Sequence, residues 1–279
     1  DFKSYNINRD DFNKGDRRGS GISSSVFEGV NKKTGELVAI KEFDDQFFKT
    51  EDSINYLIRE LTFLSSLDNK YLIKLIGFNK EEDKPFWIIE EFGEMSLDYA
   101  ISQNFLTAKQ KTKIAFKIAL GMEYLHSKRV IHRDLKPDNI LLFNFSPKIA
   151  DFGLARADIS TNMTNKVGSE NYMAPEVIMG FRYSFKADVF SFGLLLWQMY
   201  SGEMPYNKGK MQPIKQILKK KELEFNKKIS NELGDLIMDC KSYDPINRPT
   251  FTEIVNRMIE SEIAFNEEYE EEDEEDTEI

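Results

Sequence analysis

Cysteine is almost absent from this chain: Cys240 stands alone, so no intramolecular disulfide can form. That excludes a disulfide-stapled secreted scaffold and fits a reducing, intracellular compartment, with the cytoplasm as the expected location. No apolar run approaches the ~20 residues that span a bilayer, and no signal-peptide pattern opens the chain. A membrane is therefore not an expected partner. No basic patch is present to hold a nucleic acid. No internal repeat appears. The chain opens on Asp1 and not on Met, as a piece of a longer protein would.

What is there suffices for a sizeable core. Hydrophobic residues make up 41% and aromatics 13% of 279 residues, room for one large domain or two lobes of roughly 100–200 residues. The net charge of −10 is local. Residues Glu267 to Glu278 hold ten acids and no base; removing those ten from the 48 acids leaves 38, equal to the 38 bases. Residues 263–279 thus read as an acidic, disordered tail, with docking to a basic partner as the alternative.

In order along the chain, residues 1–14 read as a polar leader packed loosely on the first strand. Gly19-Ser20-Gly21 suits a tight strand-turn-strand, because glycine admits positive φ and carries no side chain. Strands follow over Phe27–Val30 and Leu37–Phe43, joined at Thr34-Gly35. A helix over Ser53–Leu67 carries Ile54, Leu57, Ile58, Leu61 and Leu64 at helical spacing, with Glu60 beside the stripe. Strands are expected over Tyr71–Phe78 and Phe86–Glu91. Thr107-x-x-Gln110 forms a capping box for a helix ending at His126, whose own reading is a helix C-terminal residue favoured by the dipole. Lys186–Tyr200 is apolar enough to be buried all round. Further helices are expected over Met211–Phe225, Asn231–Tyr243 and Phe251–Glu262, the last capped by Thr250.

The chemistry concentrates in Val130–Leu142, VIHRDLKPDNILL. Asp134, Lys136 and Asn139 lie between two apolar runs, as a polar loop pinned between buried strands would. Asp151-Phe152-Gly153 follows nine residues later. Taken singly, GxG reads as an ordinary hairpin, and Lys41 within Val38-Ala39-Ile40-Lys41 as an outward strand residue. Taken together, the glycine pair, VAIK, HRDLKPDN, DFG and Met173-Ala174-Pro175-Glu176 resemble a eukaryotic-type serine/threonine protein kinase catalytic domain. The wording of the second half is most similar to the tyrosine-kinase-like group. The resemblance covers roughly residues 10–262.

The resemblance implies an α+β, bilobal fold: a domain over 15–262, with a small β-rich lobe (15–90), a hinge (91–95) and a larger helical lobe (96–262). It implies ATP as phosphoryl donor and Mg²⁺, with Mn²⁺ an alternative. Gly19, Ser20 and Gly21 would hold phosphates, although Ser24 replaces the family's third glycine and Arg18 precedes the first. Lys41 would hold the α- and β-phosphates and pair with Glu60. Val26 and Ala39 would cover the adenine, Leu141 would underlie it, and Glu91 and Gly93 would bond it. Asp134 would take the hydroxyl proton, Lys136 would neutralise the transferring phosphate, and Asn139 and Asp151 would bind metal. Glu90, just before the hinge, departs from the family, and a carboxylate there must be paired or neutral. Asp188 would anchor the catalytic loop, and Glu176 would pair with Arg248. Thr164, with Thr161 and Ser160, would be phosphorylation sites read by Arg133 and Arg156. Expected partners are protein substrates and an upstream activating kinase; the oligomeric state is open. A nucleotide-binding pseudokinase scaffold and a dual-specificity kinase stand as alternatives.

Overall fold

The computed structural model describes residues 5–20, 24–43, 49, 51–81, 84–152, 155, 169–209, 211–225 and 229–261. The chain divides into two compact units, Asp1–Glu94 and Met95–Ile279.

Among the described residues, the first unit is a five-stranded antiparallel sheet with one α-helix. Strands β1 (Phe12–Ser20), β2 (Ser25–Asn31), β3 (Leu37–Phe43), β4 (Leu75–Asn79) and β5 (Phe86–Glu91) lie in the order β1-β2-β3-β5-β4, and helix α1 covers Glu51–Ser66. Alternation along the strands sorts the side chains. Val38, Ile40, Trp87 and Ile89 pack with Phe12 into a core on one face. Ala39, Lys41, Ile88 and Glu90 fall on the other. Lys41 stands opposite Ile88, and Ala39 opposite Glu90. The α1 stripe is narrower than expected. Leu57, Leu61 and Leu64 are buried with Glu60, whereas Ile54 and Ile58 are exposed. Glu60 lies within the buried stripe, three residues after Leu57 and four before Leu64.

The leader is not loosely packed on the first strand. Ile7 N–H donates to Phe78 O at 3.1 Å, and Asn79 Nδ2 to Ile7 O at 2.8 Å, fixing this segment to β4. A Cβ at Gly77 would come within 2.6 Å of Tyr5 O, so glycine is what lets the two backbones approach. β1 itself begins at Phe12. The strand expected over Tyr71–Phe78 is ladder-paired only from Leu75, with a register shift before Gly77.

The second unit holds a three-stranded antiparallel sheet, β6 (Met95–Ser96), β7 (Ile140–Phe143) and β8 (Ser146–Ile149), in that order. Its helices are α2 (Leu97–Ser102), α3 (Ala108–Ser127), α4 (Pro175–Ile178), α5 (Lys186–Ser201), α6 (Pro213–Leu218), α7 (Asn231–Cys240) and α8 (Phe251–Glu260). Thr107 and Gln110 cap α3 reciprocally, as Thr250 and Glu253 do α8. α5 is buried on every side and stops at Gly202, whose φ of 74° makes a left-handed cap. The helix expected over Met211–Phe225 shrinks to Pro213–Leu218. Pro213 suits a first helical position, and the apolar positions give way to Lys219–Lys221, with Lys220 at a φ of 54°. Among the described residues no helix is long and apolar enough to cross a membrane.

Candidate active site

In the first unit, the β3 alternation turns Lys41 inward rather than to solvent. Its Nζ lies 2.8 Å from Glu60 Oε1. It also reaches Glu90, at 3.2 Å from Oε1 and 3.1 Å from Oε2. Glu60 is 1% and Glu90 2% exposed. The unusual carboxylate before the hinge is thus paired, and with the lysine already paired to Glu60. Val26 stands opposite Lys41 in the β2–β3 ladder, so Val26, Ala39 and Lys41 share one face.

Gly19 and Ser20 end β1 opposite Val26 and Ser25. Among the described residues, a Cβ at Gly19 would meet nothing within 4 Å. Gly21 lies outside the described residues. Arg18 bridges the hairpin to Glu28, its Nε at 2.9 Å from Oε2, half out in solvent. Glu91 accepts from Lys74 N through Oε1 at 2.8 Å, and its own N–H donates to Lys74 O at 3.1 Å. A base bonded at Glu91 would therefore use the carbonyl, not the N–H. Gly93 follows two residues on, just past the end of β5.

In the second unit, Asp134 gathers the loop. Its Oδ2 lies 3.1 Å from Lys136 Nζ and accepts from Asn139 Nδ2 at 3.0 Å; its Oδ1 accepts from Ser169 N–H at 2.8 Å. Burial pushes the Asp134 carboxyl up, but the Lys136 charge and hydrogen bond outweigh it and hold the group below the ordinary carboxylate range. Lys136 Nζ also donates to Ser169 Oγ at 2.7 Å. Asn139 Nδ2 donates a second bond, to Asp134 O at 2.8 Å, which turns its amide oxygen away from Asp134. Ala150 N–H donates to Asn139 O at 2.9 Å, bringing Asp151 next in chain to that site. Asp151 and Arg133 are held at positive φ, 65° and 74°, a strain that the surrounding bonds must support. Leu141 is half-buried on β7, opposite Ser96.

Asp188 explains how the loop is held. Its Oδ2 accepts from His132 N–H at 2.9 Å and from His126 Nε2 at 2.9 Å, and its Oδ1 from Arg133 N–H at 2.9 Å. Burial raises its carboxyl, and the His126 bond and charge outweigh this and lower it. The His132 ring accepts from Asp134 N–H at Nδ1, donates from Nε2 to Ala150 O at 3.0 Å, and stands edge-on to Phe152. No local pattern points to His126 in this role, because the contact spans 62 positions. Nor does one point to Ser169 as the donor to Asp134. Gln198 was also missed: it accepts from the Tyr172 hydroxyl and donates to Asp98 Oδ1 at 2.8 Å.

Among the described residues no three His, Cys, Asp or Glu side chains could hold a metal by themselves. An amide oxygen and a carboxylate, Asn139 and Asp151, do suit a hard divalent cation that takes its remaining oxygens from phosphates and water. Thr164, Thr161, Ser160 and Arg156 lie outside the described residues.

A carboxylate braced by a lysine and an amide can take a hydroxyl proton. A buried lysine on a small sheet can grip phosphates. The class these features define is an ATP-dependent phosphotransferase that works with a divalent cation. The protein kinase domain family matches residues 12–258, and the chain belongs to that family. It is 32% identical to the dual specificity protein kinase shkB of Dictyostelium discoideum over 89% of this chain and 40% of that protein. It is 35% identical to the RGS domain-containing serine/threonine-protein kinase A of the same organism, over 85% of this chain and 21% of the other. It is 33% identical to the serine/threonine-protein kinase ATG1a of Arabidopsis thaliana, over 89% and 41%. The chain thus spans under half the length of these relatives. It is a protein kinase domain, of a family that uses ATP as its phosphoryl donor.

Proposed function

We propose that this chain moves the γ-phosphoryl group of ATP to serine or threonine hydroxyls, with Asp134 as the base. The observation that carries the reading is the set of bonds on Asp134. Lys136, Asn139 and Ser169 N–H fix both oxygens while leaving the carboxylate ionised. In the step, the substrate hydroxyl oxygen bonds to the γ-phosphorus, the bond to the bridging oxygen of ADP breaks, and the hydroxyl proton goes to Asp134. Lys136 balances charge on the transferring group. Lys41, steadied by Glu60, holds the α- and β-phosphates, and Gly19, Ser20 and Gly21 supply backbone donors. Val26, Ala39 and Leu141 contact the base, with Glu91 and Gly93 bonding it. Asn139 and Asp151 would hold Mg²⁺, which when bound offsets phosphate charge. The catalytic unit is taken as 15–262, with 263–279 an acidic extension. A reaction that consumes ATP suits an intracellular, cytoplasmic setting.

Regulation is proposed through Thr164, with Thr161 and Ser160, phosphorylated by the chain itself or by an upstream kinase. Arg133 and Arg156 would receive the phosphate. Unchanged activity after replacing all three hydroxyl residues by alanine would remove this part.

The deciding experiment is radiolabelled transfer from ATP with Mg²⁺ to a generic basic protein, followed by phosphoamino-acid analysis, with Asp134→Asn as control. Phosphoserine or phosphothreonine that vanishes in the variant supports the reading. Phosphotyrosine beside them would favour dual specificity, as in the name of the relative shkB. Nucleotide binding without transfer, even after treatment with an activating kinase, would favour a scaffold.

A further inference from the structure

We propose that Glu90 is a positioning residue for Lys41, forming with Glu60 a two-carboxylate clamp on its ammonium. The inference rests on the reading of Lys41 as a phosphate ligand. Its ground is the sheet register. Lys41 stands opposite Ile88, and Glu90 lies two residues further along β5. Lys41 and Glu90 are therefore diagonal neighbours on one face of adjacent strands, within reach of long side chains. The contacts to the two Glu90 oxygens, 3.2 and 3.1 Å, differ by so little that the carboxylate faces the ammonium with both.

The two carboxylates are anchored differently. Glu60 sits on α1, a separate element from the sheet. Glu90 sits in the same hydrogen-bonded sheet as Lys41. A displacement of α1 by an ångström or two carries Glu60 away from the lysine and leaves Glu90 in place. Burial makes the arrangement consequential. Leu75, Ala39 and Ile88 around Glu90 are all buried apolar residues, so a carboxylate left there without a cation would be costly. Glu90 therefore holds Lys41 as firmly as Lys41 holds Glu90. The lysine stays aimed when Glu60 is lost or swings out, and α1 is not the sole determinant of its orientation.

The test is a double-mutant cycle with E60Q, E90Q and the double variant, read in two ways. The first is kcat/KM for ATP. The second, without nucleotide, is the rate at which acetic anhydride acylates Lys41, followed by peptide mass relative to exposed Lys33. With a clamp, each single variant loses less than about tenfold in kcat/KM and the double at least about a hundredfold, because each carboxylate covers for the other. Acylation of Lys41 stays slow in both singles and rises about tenfold or more in the double, as the amine loses both carboxylates. Glu90→Asp introduced alongside E60Q restores part of the protection. If E60Q alone matches the double in acylation, Glu90 positions nothing and the proposal falls. Should E90Q melt well below the parent, Glu90→Leu replaces it, with the same outcomes. Lys41→Met with unchanged kcat/KM would overturn the phosphate role of Lys41, and the acylation rates would still decide the clamp.

Discussion

Asp134 shows how a single residue is tuned by its neighbours. A buried carboxylate alone would be pushed toward neutrality; beside Lys136 it is held below the ordinary carboxylate range. A base that needs to be ionised is thus favoured in its ionised form. The kcat/KM profile is expected to lack an acid limb from Asp134 between about pH 5.5 and 8, and a carboxylate limb near pH 6 that shifts in Asp134→Glu would contradict this. Asp134→Asn should lower kcat by about 10²–10⁴-fold, the usual worth of a positioned base, with the melting temperature little changed. Lys241 shows the opposite balance. Burial at the end of α7, only partly opposed by Glu222, pulls its ammonium down to about 8. Its folded value lies below the unfolded value of about 10.4, so the unfolded chain binds more protons between those two, and stability rises with pH across that window. Lys241→Met is expected to abolish the rise and to add about 1–3 kcal/mol at pH 7, measured by urea unfolding at pH 7 and 9.5.

At the scale of elements, two buried side chains join pieces far apart in sequence. Asp188, at the start of α5, accepts from the loop amides of His132 and Arg133 and from the end of α3 through His126. Asp188→Leu would leave these donors unpaired and cost about 3–5 kcal/mol. Because the Asp188 carboxyl is lowered on folding, its contribution is present above the unfolded value of about 3.9 and fades as pH falls through the folded one. The gap between parent and variant in unfolding free energy should accordingly be full at pH 6 and shrink below pH 4. Arg248 is 1% exposed and uses all five N–H donors. Two go to Glu176 at 2.7 and 2.8 Å, and the others to the carbonyls of Ser242, Lys186 and Tyr243. Lysine offers three donors and no fork, so Arg248→Lys is expected to lose about 2–4 kcal/mol in chemical denaturation, most of what Arg248→Met loses. Both contacts were legible as a resemblance. Their energetics were not, because burial and the count of satisfied donors appear only when α5 and the loops near Glu176 and Arg248 come together.

For the whole molecule, the charge imbalance belongs to one end. Deleting 267–279 removes ten acids and no base, so the chain should focus near neutral pH while its melting temperature stays within about 2 °C, since a run of like charges contributes little to a core. Scanning calorimetry and isoelectric focusing would check both. The sequence by itself determined the family, the order of the elements and the chemistry. Period-2 and 3.6-residue patterns, caps such as Thr107 with Gln110, and short polar motifs are local, and local spacing fixes which residue types can act together. Where local pattern ran out, it failed for local reasons: Ile54 and Ile58 belong to a helical stripe by spacing yet face outward, and the basic run after Leu218 ends a helix expected to continue. Only the tertiary structure decided the partners of buried charge. Sheet register brought Glu90 to Lys41, and the fold of the second unit brought His126 to Asp188 and Ser169 to Asp134. These pairings join residues 35 to 62 positions apart, and no spacing rule reaches that far; burial, which makes an unpaired charge intolerable, selects them.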